Sequence, residues 1–127
     1  MDPLFLTLRQ VLAYHQQQLA LFGGEPGVGD QGLLESAIAH PQATWFYDPH
    51  ASLFDIAAGY AFHITKNHPF NDGNKRTALH AALAFLQINQ IEVIAPEYAM
   101  YDAMIALTTS QWMKSQFAEF LRNNVTP

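Results

Sequence analysis

The sequence predicts an all-α domain of about six helices packed around a buried central helix. Three observations predict it. From Leu53 onward, Ile56, Ala57, Tyr60, Ala61 and Ile64 recur at the i, i+3, i+4 spacing of one helix face. After Arg76 the run Thr77 to Leu86 is apolar almost all round, as a helix in the middle of a domain would be. Elsewhere capping residues, glycines and prolines cut the chain into segments of helical length, and Ile91 to Ile94 shows only a short extended pattern.

In chain order, Thr7 can cap a helix that runs to about Phe22 and is stopped by Gly23-Gly24. Its inner face should carry Leu8, Val11, Leu12, Leu19 and Phe22, with His15 and Gln16 to Gln18 on the solvated side. Gly27 to Gly29 read as a loop, and Asp30 caps a short helix expected to end near Ala39, because Pro41 disfavours the α region at His40. Trp45, Phe46 and Tyr47 follow. Three consecutive aromatics cannot share one face, so the expectation is that at least two complete the core, and Trp45 or Tyr47 is the candidate for a substrate-docking rim. Ser52 with Asp55 resembles a capping box and starts the helix to about Asn67. Gly59 inside it suggests close packing against the central helix. That helix should end near Ile88, with Asn89-Gln90 as its stop. Pro96 opens the next helix, and Ser110 is expected to cap the last, their Met and aromatic stripes forming core.

Composition sets limits. The 127 residues, half of them hydrophobic, fit one domain spanning 1–127 with a real core. With no cysteine, neither a disulfide nor a thiolate metal site is possible. The opening Met-Asp-Pro lacks the charged and apolar regions of a signal peptide, and no stretch approaches the ~20 apolar residues of a membrane span. A cytoplasmic protein without a membrane partner is the expectation. The net charge of −5 disfavours nucleic acid, whose phosphates demand clustered cations. Yet three of the six basic residues, Lys66, Lys75 and Arg76, fall within eleven positions, which suits one small anion such as a nucleotide.

These cations belong to the stretch His68-Pro69-Phe70-Asn71-Asp72-Gly73-Asn74-Lys75-Arg76, between the two apolar helices. Pro69 ends the first helix at about Asn67 and leaves the His68 imidazole at its terminus, suited to accept a hydroxyl proton. Phe70 is the loop's apolar anchor. Asp72 offers the hard oxygens that Mg²⁺ prefers, and one such carboxylate with phosphate oxygens and waters is a usual Mg²⁺ arrangement. Gly73 permits close approach or a positive φ. Asn74 would cap the central helix, whose first N–H groups and positive dipole end face an anion. Lys75 and Arg76 occupy the first turn, where cations are unfavourable unless an anion is present. Any one of these residues could be no more than part of a capped turn. Six specified positions in register arise by chance only about once in ten million placements.

This stretch resembles the signature of the Fic/Doc family, H-x-F-x-[D/E]-[G/A]-N-[G/K]-R, at every specified position. Lys75, where most Fic proteins have glycine, and the short chain make it similar to the Doc branch, the death-on-curing toxins. Gly23 to Gly27 and Gly32 to Ala37 are similar to the segment preceding the motif in that branch. The resemblance implies the Fic fold and a toxin that uses ATP and Mg²⁺. His68 would be the base, Asp72 the metal ligand, and Gly73, Asn74, Lys75 and Arg76 the phosphate site, Arg76 also serving catalysis. Most Fic proteins transfer AMP. The Doc branch transfers the γ-phosphoryl group, and Lys75, filling space that glycine would leave for the α/β-phosphates, favours that outcome; Gly73 leans towards AMP transfer. The implied target is a translation factor, elongation factor Tu, and the implied partner a Phd-like antitoxin whose C-terminal segment packs in a groove. The absence of a Ser/Thr-x-x-x-Glu-Gly/Asn motif implies inhibition in trans.

Other readings stay open at this level. A binding module could keep the nucleotide pocket without chemistry. A Mg²⁺-dependent nuclease usually clusters two or three carboxylates, whereas Asp72 stands alone. His63 and His68, five residues apart, cannot pair as i, i+4 zinc ligands. His80 reads as a satisfied core histidine sooner than a catalytic one.

Overall fold

A computed structural model describes residues 2–126 as six helices: α1 (Leu8–Phe22), α2 (Gln31–Tyr47), α3 (Leu53–Asn67), α4 (Asn74–Ile88), α5 (Glu97–Thr108) and α6 (Lys114–Arg122). Local chemistry starts three of them where the sequence expects. Thr7 accepts from the Gln10 N–H while the Gln10 side chain accepts from the Thr7 N–H, a reciprocal cap. Ser52 and Asp55 do the same for α3, and the Asp30 carboxylate accepts the Leu33 N–H for α2. Among the described residues the extended contacts are two isolated antiparallel bridges, Val28 with Phe70 and Val93 with Val125.

The core is built where α3 and α4 lie together. Ile56, Ala57, Ala58, Tyr60, Ala61 and Ile64 of α3 are fully buried, as are Ala78, Ala81, Ala82, Phe85 and Leu86 of α4. Burying a side chain the size of Phe85 or Ile64 contributes about 1.5–3 kcal/mol. Tyr60 places its hydroxyl against the N-terminal segment, where it accepts the Leu6 N–H at 3.0 Å, and burial pushes its pKa up to about 12. The expected central helix, α4, packs on α1, α3 and α5, while α3 is the more embedded of the pair and touches α2, α4, α5 and α6. One side of α4, with half-buried Leu79 and Leu83, faces a cleft.

Several expectations need correction. α2 does not end near Ala39; it continues through Pro41 to Tyr47. Pro41 is buried, and a Cβ built on Gly59 would meet its ring at 3.5 Å, so the glycine of α3 faces α2 and not the central helix. Burial of the pyrrolidine ring offsets the backbone bond that proline removes. Ser110 does not cap α6. It lies in the left-handed region with φ 63° and accepts from Lys66 Nζ at 2.8 Å, and α6 begins four residues later. Lys66 also donates to the Thr108 carbonyl at 3.1 Å, tying the end of α3 to the end of α5. The stripes of the last two helices are not all core, since Tyr98, Tyr101 and Met113 are exposed. Phe22 is exposed as well, whereas His15, expected in solvent, is only 3% exposed.

On the α2, α3 and α6 side, the His63 ring stacks on His40 at 3.8 Å and its Nε2 accepts from Lys114 Nζ at 3.4 Å. Burial first, then the charges of His40 and Lys114, lower its pKa from 6.5 to about 4. The unfolded chain therefore binds a proton that the folded chain refuses, and stability falls as pH drops from 6.5 towards 4. After discounting for solvent screening the loss is on the order of 1–2 kcal/mol. Urea denaturation across this window should show it. His63→Phe, which keeps an aromatic against His40, should flatten the curve; an unchanged pH dependence in that variant would rule out His63 as its source.

Candidate active site

The motif loop begins with an unusual backbone. His68 caps the C-terminus of α3 with φ 49° and ψ 54°, its N–H donating to the Ile64 carbonyl at 3.1 Å. A left-handed residue with a Cβ costs roughly 1–2 kcal/mol, so the surrounding structure must hold it there. The loop between α1 and α2 does so. The Pro69 carbonyl accepts from the N–H groups of Gly29 at 2.8 Å and Asp30 at 3.1 Å, and the Asn71 N–H donates to the Gly27 carbonyl at 3.1 Å. Asn71 Nδ2 adds a bond to the Pro26 carbonyl. Phe70, 1% exposed, anchors the turn in the core as expected.

Asp72 is held by backbone groups on both oxygens. The Glu25 N–H donates to Oδ2 at 3.2 Å and the Gly73 N–H to Oδ1 at 2.8 Å. Chiefly for these two reasons, Glu25 first, with smaller help from Arg76 and His15, its pKa lies below the ordinary carboxylate value. The carboxylate is fully exposed at the mouth of the cleft and ionised at neutral pH. The preceding loop approaches so closely that a Cβ on Gly24, at φ 122°, would come within 2.8 Å of Oδ2. Glycine is required there on both counts.

At the start of α4 the N-cap is Gly73, with φ 76°, and not Asn74. Asn74 is instead the first helical residue, 5% exposed, and staples the loop: its Oδ1 accepts the Phe70 N–H at 3.0 Å and its Nδ2 donates to the Phe70 carbonyl at 2.9 Å. An asparagine matches a backbone amide in both directions, so it serves here better than as a cap. The first intrahelical bond is Thr77 N–H to the Gly73 carbonyl at 3.0 Å, which leaves the N–H groups of Asn74, Lys75 and Arg76 without an intrahelical acceptor. They form a donor set at the positive end of the helix dipole. Lys75 and Arg76 are exposed beside it, and among the described residues the ion pair within 4 Å is Arg122 with Glu119, elsewhere on the surface. The Arg76 guanidinium lies 4.2 Å from the centre of the Phe22 ring.

His68, Asp72, Gly73, Asn74, Lys75 and Arg76 all line one cleft of about 940 Å³. Beyond the loop it runs along α4, with Leu21 and Phe22 on one rim and Tyr101 and Met104 of α5 on the other. An imidazole, an ionised carboxylate, free backbone donors and two cations thus surround one space, a set able to bind a polyphosphate and accept a proton from a hydroxyl. For Mg²⁺ the donor set fits in one manner: among the described residues no three His, Asp or Glu side chains come together, so Asp72 would supply a single carboxylate and the other ligands would be phosphate oxygens and waters.

Neither Trp45 nor Tyr47 lines the cleft. Trp45 packs half-buried, its Nε1–H donating to Asp2 at 3.1 Å, and Tyr47 is in solvent. His80 does line it, stacked on Tyr14 at 4.4 Å with Nδ1 accepting from Gln18 Nε2 at 2.8 Å; burial lowers its pKa. Residues not anticipated at the site are Phe22 and His15. His15 could have been found, because it continues the apolar stripe of Val11 and Leu19 at i, i+4 spacing.

Residues 5–86 match the model of the Fic/DOC family. The chain is 37% identical over 118 residues to a protein named Protein kinase doc from Escherichia phage P1, covering 92% of either chain. It is 48% identical over 75 residues to one named Toxin Doc from Mycolicibacterium smegmatis, covering 58% of either.

Proposed function

Because the chain belongs to the Fic/DOC family, we propose that it is a toxin that transfers the γ-phosphoryl group of ATP to a hydroxyl of a target protein. The observation that carries this reading is the single cleft in which His68 and Asp72 meet the open N-terminus of α4. The name of the phage relative, a protein kinase, supports phosphoryl over adenylyl transfer. Lys75 supports it too, as a cation placed beside phosphate donors where a glycine would leave room.

In this mechanism His68 takes the proton of the acceptor hydroxyl as its oxygen forms a bond to the γ-phosphorus. The bond from that phosphorus to the bridging oxygen breaks, and ADP leaves with the electron pair. Such transfer rests on positioning and charge neutralisation. The N–H groups of Asn74, Lys75 and Arg76 hold phosphate oxygens, and the two side-chain cations neutralise their charge. Asp72 would hold Mg²⁺, which when bound neutralises further phosphate charge. Asn74 and the α1–α2 loop keep these groups in register.

The same reading supplies partners. The acceptor is a translation elongation factor, elongation factor Tu, so that modification arrests translation in the cytoplasm. Among the described residues no helix is long and apolar enough to cross a membrane. An antitoxin of the Phd kind covers the apolar part of the cleft with its C-terminal segment, where Leu21 and Tyr101 are left exposed on either side of α4.

The experiment is a transfer assay with ATP labelled at either the α or the γ phosphate, using first cell extract and then purified elongation factor. Label on protein from γ-labelled ATP is the expected result. Label from the α position alone would replace phosphorylation with AMP transfer, and label from neither would leave a binding module.

A further inference from the structure

We propose that His15, on the inner face of α1, is a positioning residue that sets the aim of the Asp72 carboxylate. The inference rests on the functional reading above, in which Asp72 is a Mg²⁺ ligand. His15 Nε2–H donates to the Asp72 main-chain carbonyl at 2.8 Å. Its ring stacks on Phe70 with centroids 3.8 Å apart and planes 9° apart. A Cβ on Gly73 would lie 3.7 Å from the same imidazole, so the ring sits directly beneath the turn. It is 3% exposed and does not line the cleft, which excludes contact with substrate.

The geometry gives this part-buried bond a specific effect. With its carbonyl held by His15 of α1, Asp72 presents its carboxylate to the Glu25 and Gly73 N–H groups, which receive it. Three donors from three segments, α1, the α1–α2 loop and the turn itself, thus fix one residue. Loss of the His15 donor leaves the carbonyl without that partner and frees the peptide plane to rotate, moving the carboxylate away from the phosphate donors of α4. A hydrophobic residue at 15 would fill the space but could not hold that plane. Groups that orient a metal-bound carboxylate typically alter metal affinity by about 10- to 100-fold.

The test compares two side chains of similar length at this position. His15→Gln can restore an N–H donor near the Nε2 position; His15→Met cannot. His15→Phe keeps the stack on Phe70 without the donor. ATP binding to the full chain is measured by calorimetry with Mg²⁺ and again with EDTA, alongside Asp72→Ala. The expected result is that H15M and H15F lose about tenfold or more of the Mg²⁺-dependent gain in ATP affinity, that H15Q stays within about threefold of the unaltered protein, and that affinity in EDTA is alike in all. A purely structural role would lower affinity in both conditions. Equal loss in H15Q and H15M, or wild-type behaviour of H15M, overturns the assignment. If D72A binds Mg²⁺-ATP as well as the unaltered protein, the metal role of Asp72 itself fails, a different outcome from failure of His15.

Discussion

Replacing His68 with alanine is expected to lower phosphoryl transfer by about 10²- to 10⁴-fold, the usual contribution of a positioned general base. The variant should still bind ATP, because the N–H groups and cations of α4 are untouched. It should also fold. His68 is exposed at the cleft, and its one backbone donation, to Ile64, does not depend on the side chain. A companion variant separates chemistry from strain. His68→Gly meets the left-handed conformation at little steric cost, so it should be at least as stable as the alanine variant while equally inactive. Measuring single-turnover transfer and urea midpoints for both variants checks this, and growth inhibition by expressed protein should vanish in step. Should H68A inhibit growth as strongly as the unaltered protein, the chain would act by binding and not by catalysis.

The parts of this molecule that could be read from its sequence are those set by near neighbours. Helix starts at Thr7, Asp30 and Ser52 and the end of α3 before Pro69 each depend on residues within four positions. The same is true of the motif, whose chemistry is packed into nine residues. Misread features depend on distant ones. Pro41 reads as a helix end until Gly59 of α3 is placed against its ring. Asn74 reads as a cap until the loop folds back to offer it the Phe70 amide and carbonyl. His15 reads as solvated by residue type although the Val11–Leu19 spacing places it on the inner face; its partner, the Asp72 carbonyl 57 residues away, is what no local pattern names. The stripe of α5 reads as core, yet Tyr98 and Tyr101 are exposed and Tyr101 borders the cleft; periodicity reports an apolar face but not what covers it.

Arg76 carries the second large effect. Substitution by alanine is expected to reduce kcat/KM for transfer by about 10³-fold, the lower end of what an arginine on a transferring phosphoryl group contributes. Lysine should recover only part, since it lacks the planar fork that holds two oxygens at once. The stability of the free protein should barely change, and two opposing magnitudes say why. A cation in the first turn of α4 opposes the helix dipole by about 0.3–1 kcal/mol, while its contact with the Phe22 ring at 4.2 Å contributes about 0.5–1 kcal/mol at an exposed site. Removing both leaves a net change within about 0.7 kcal/mol. An arginine whose main stabilising neighbour is an exposed ring on the rim of a cleft is held ready for a ligand. Phe22→Ala should consequently weaken ATP binding less than R76A does, by letting the guanidinium wander without removing it. Steady-state kinetics on R76A, R76K and F22A, with thermal midpoints for each, provide the check. If R76A transfers within tenfold of the unaltered protein, or if its loss merely tracks a fall in stability, the charge at this position is not what neutralises the phosphates, and Lys75 with the backbone donors must suffice.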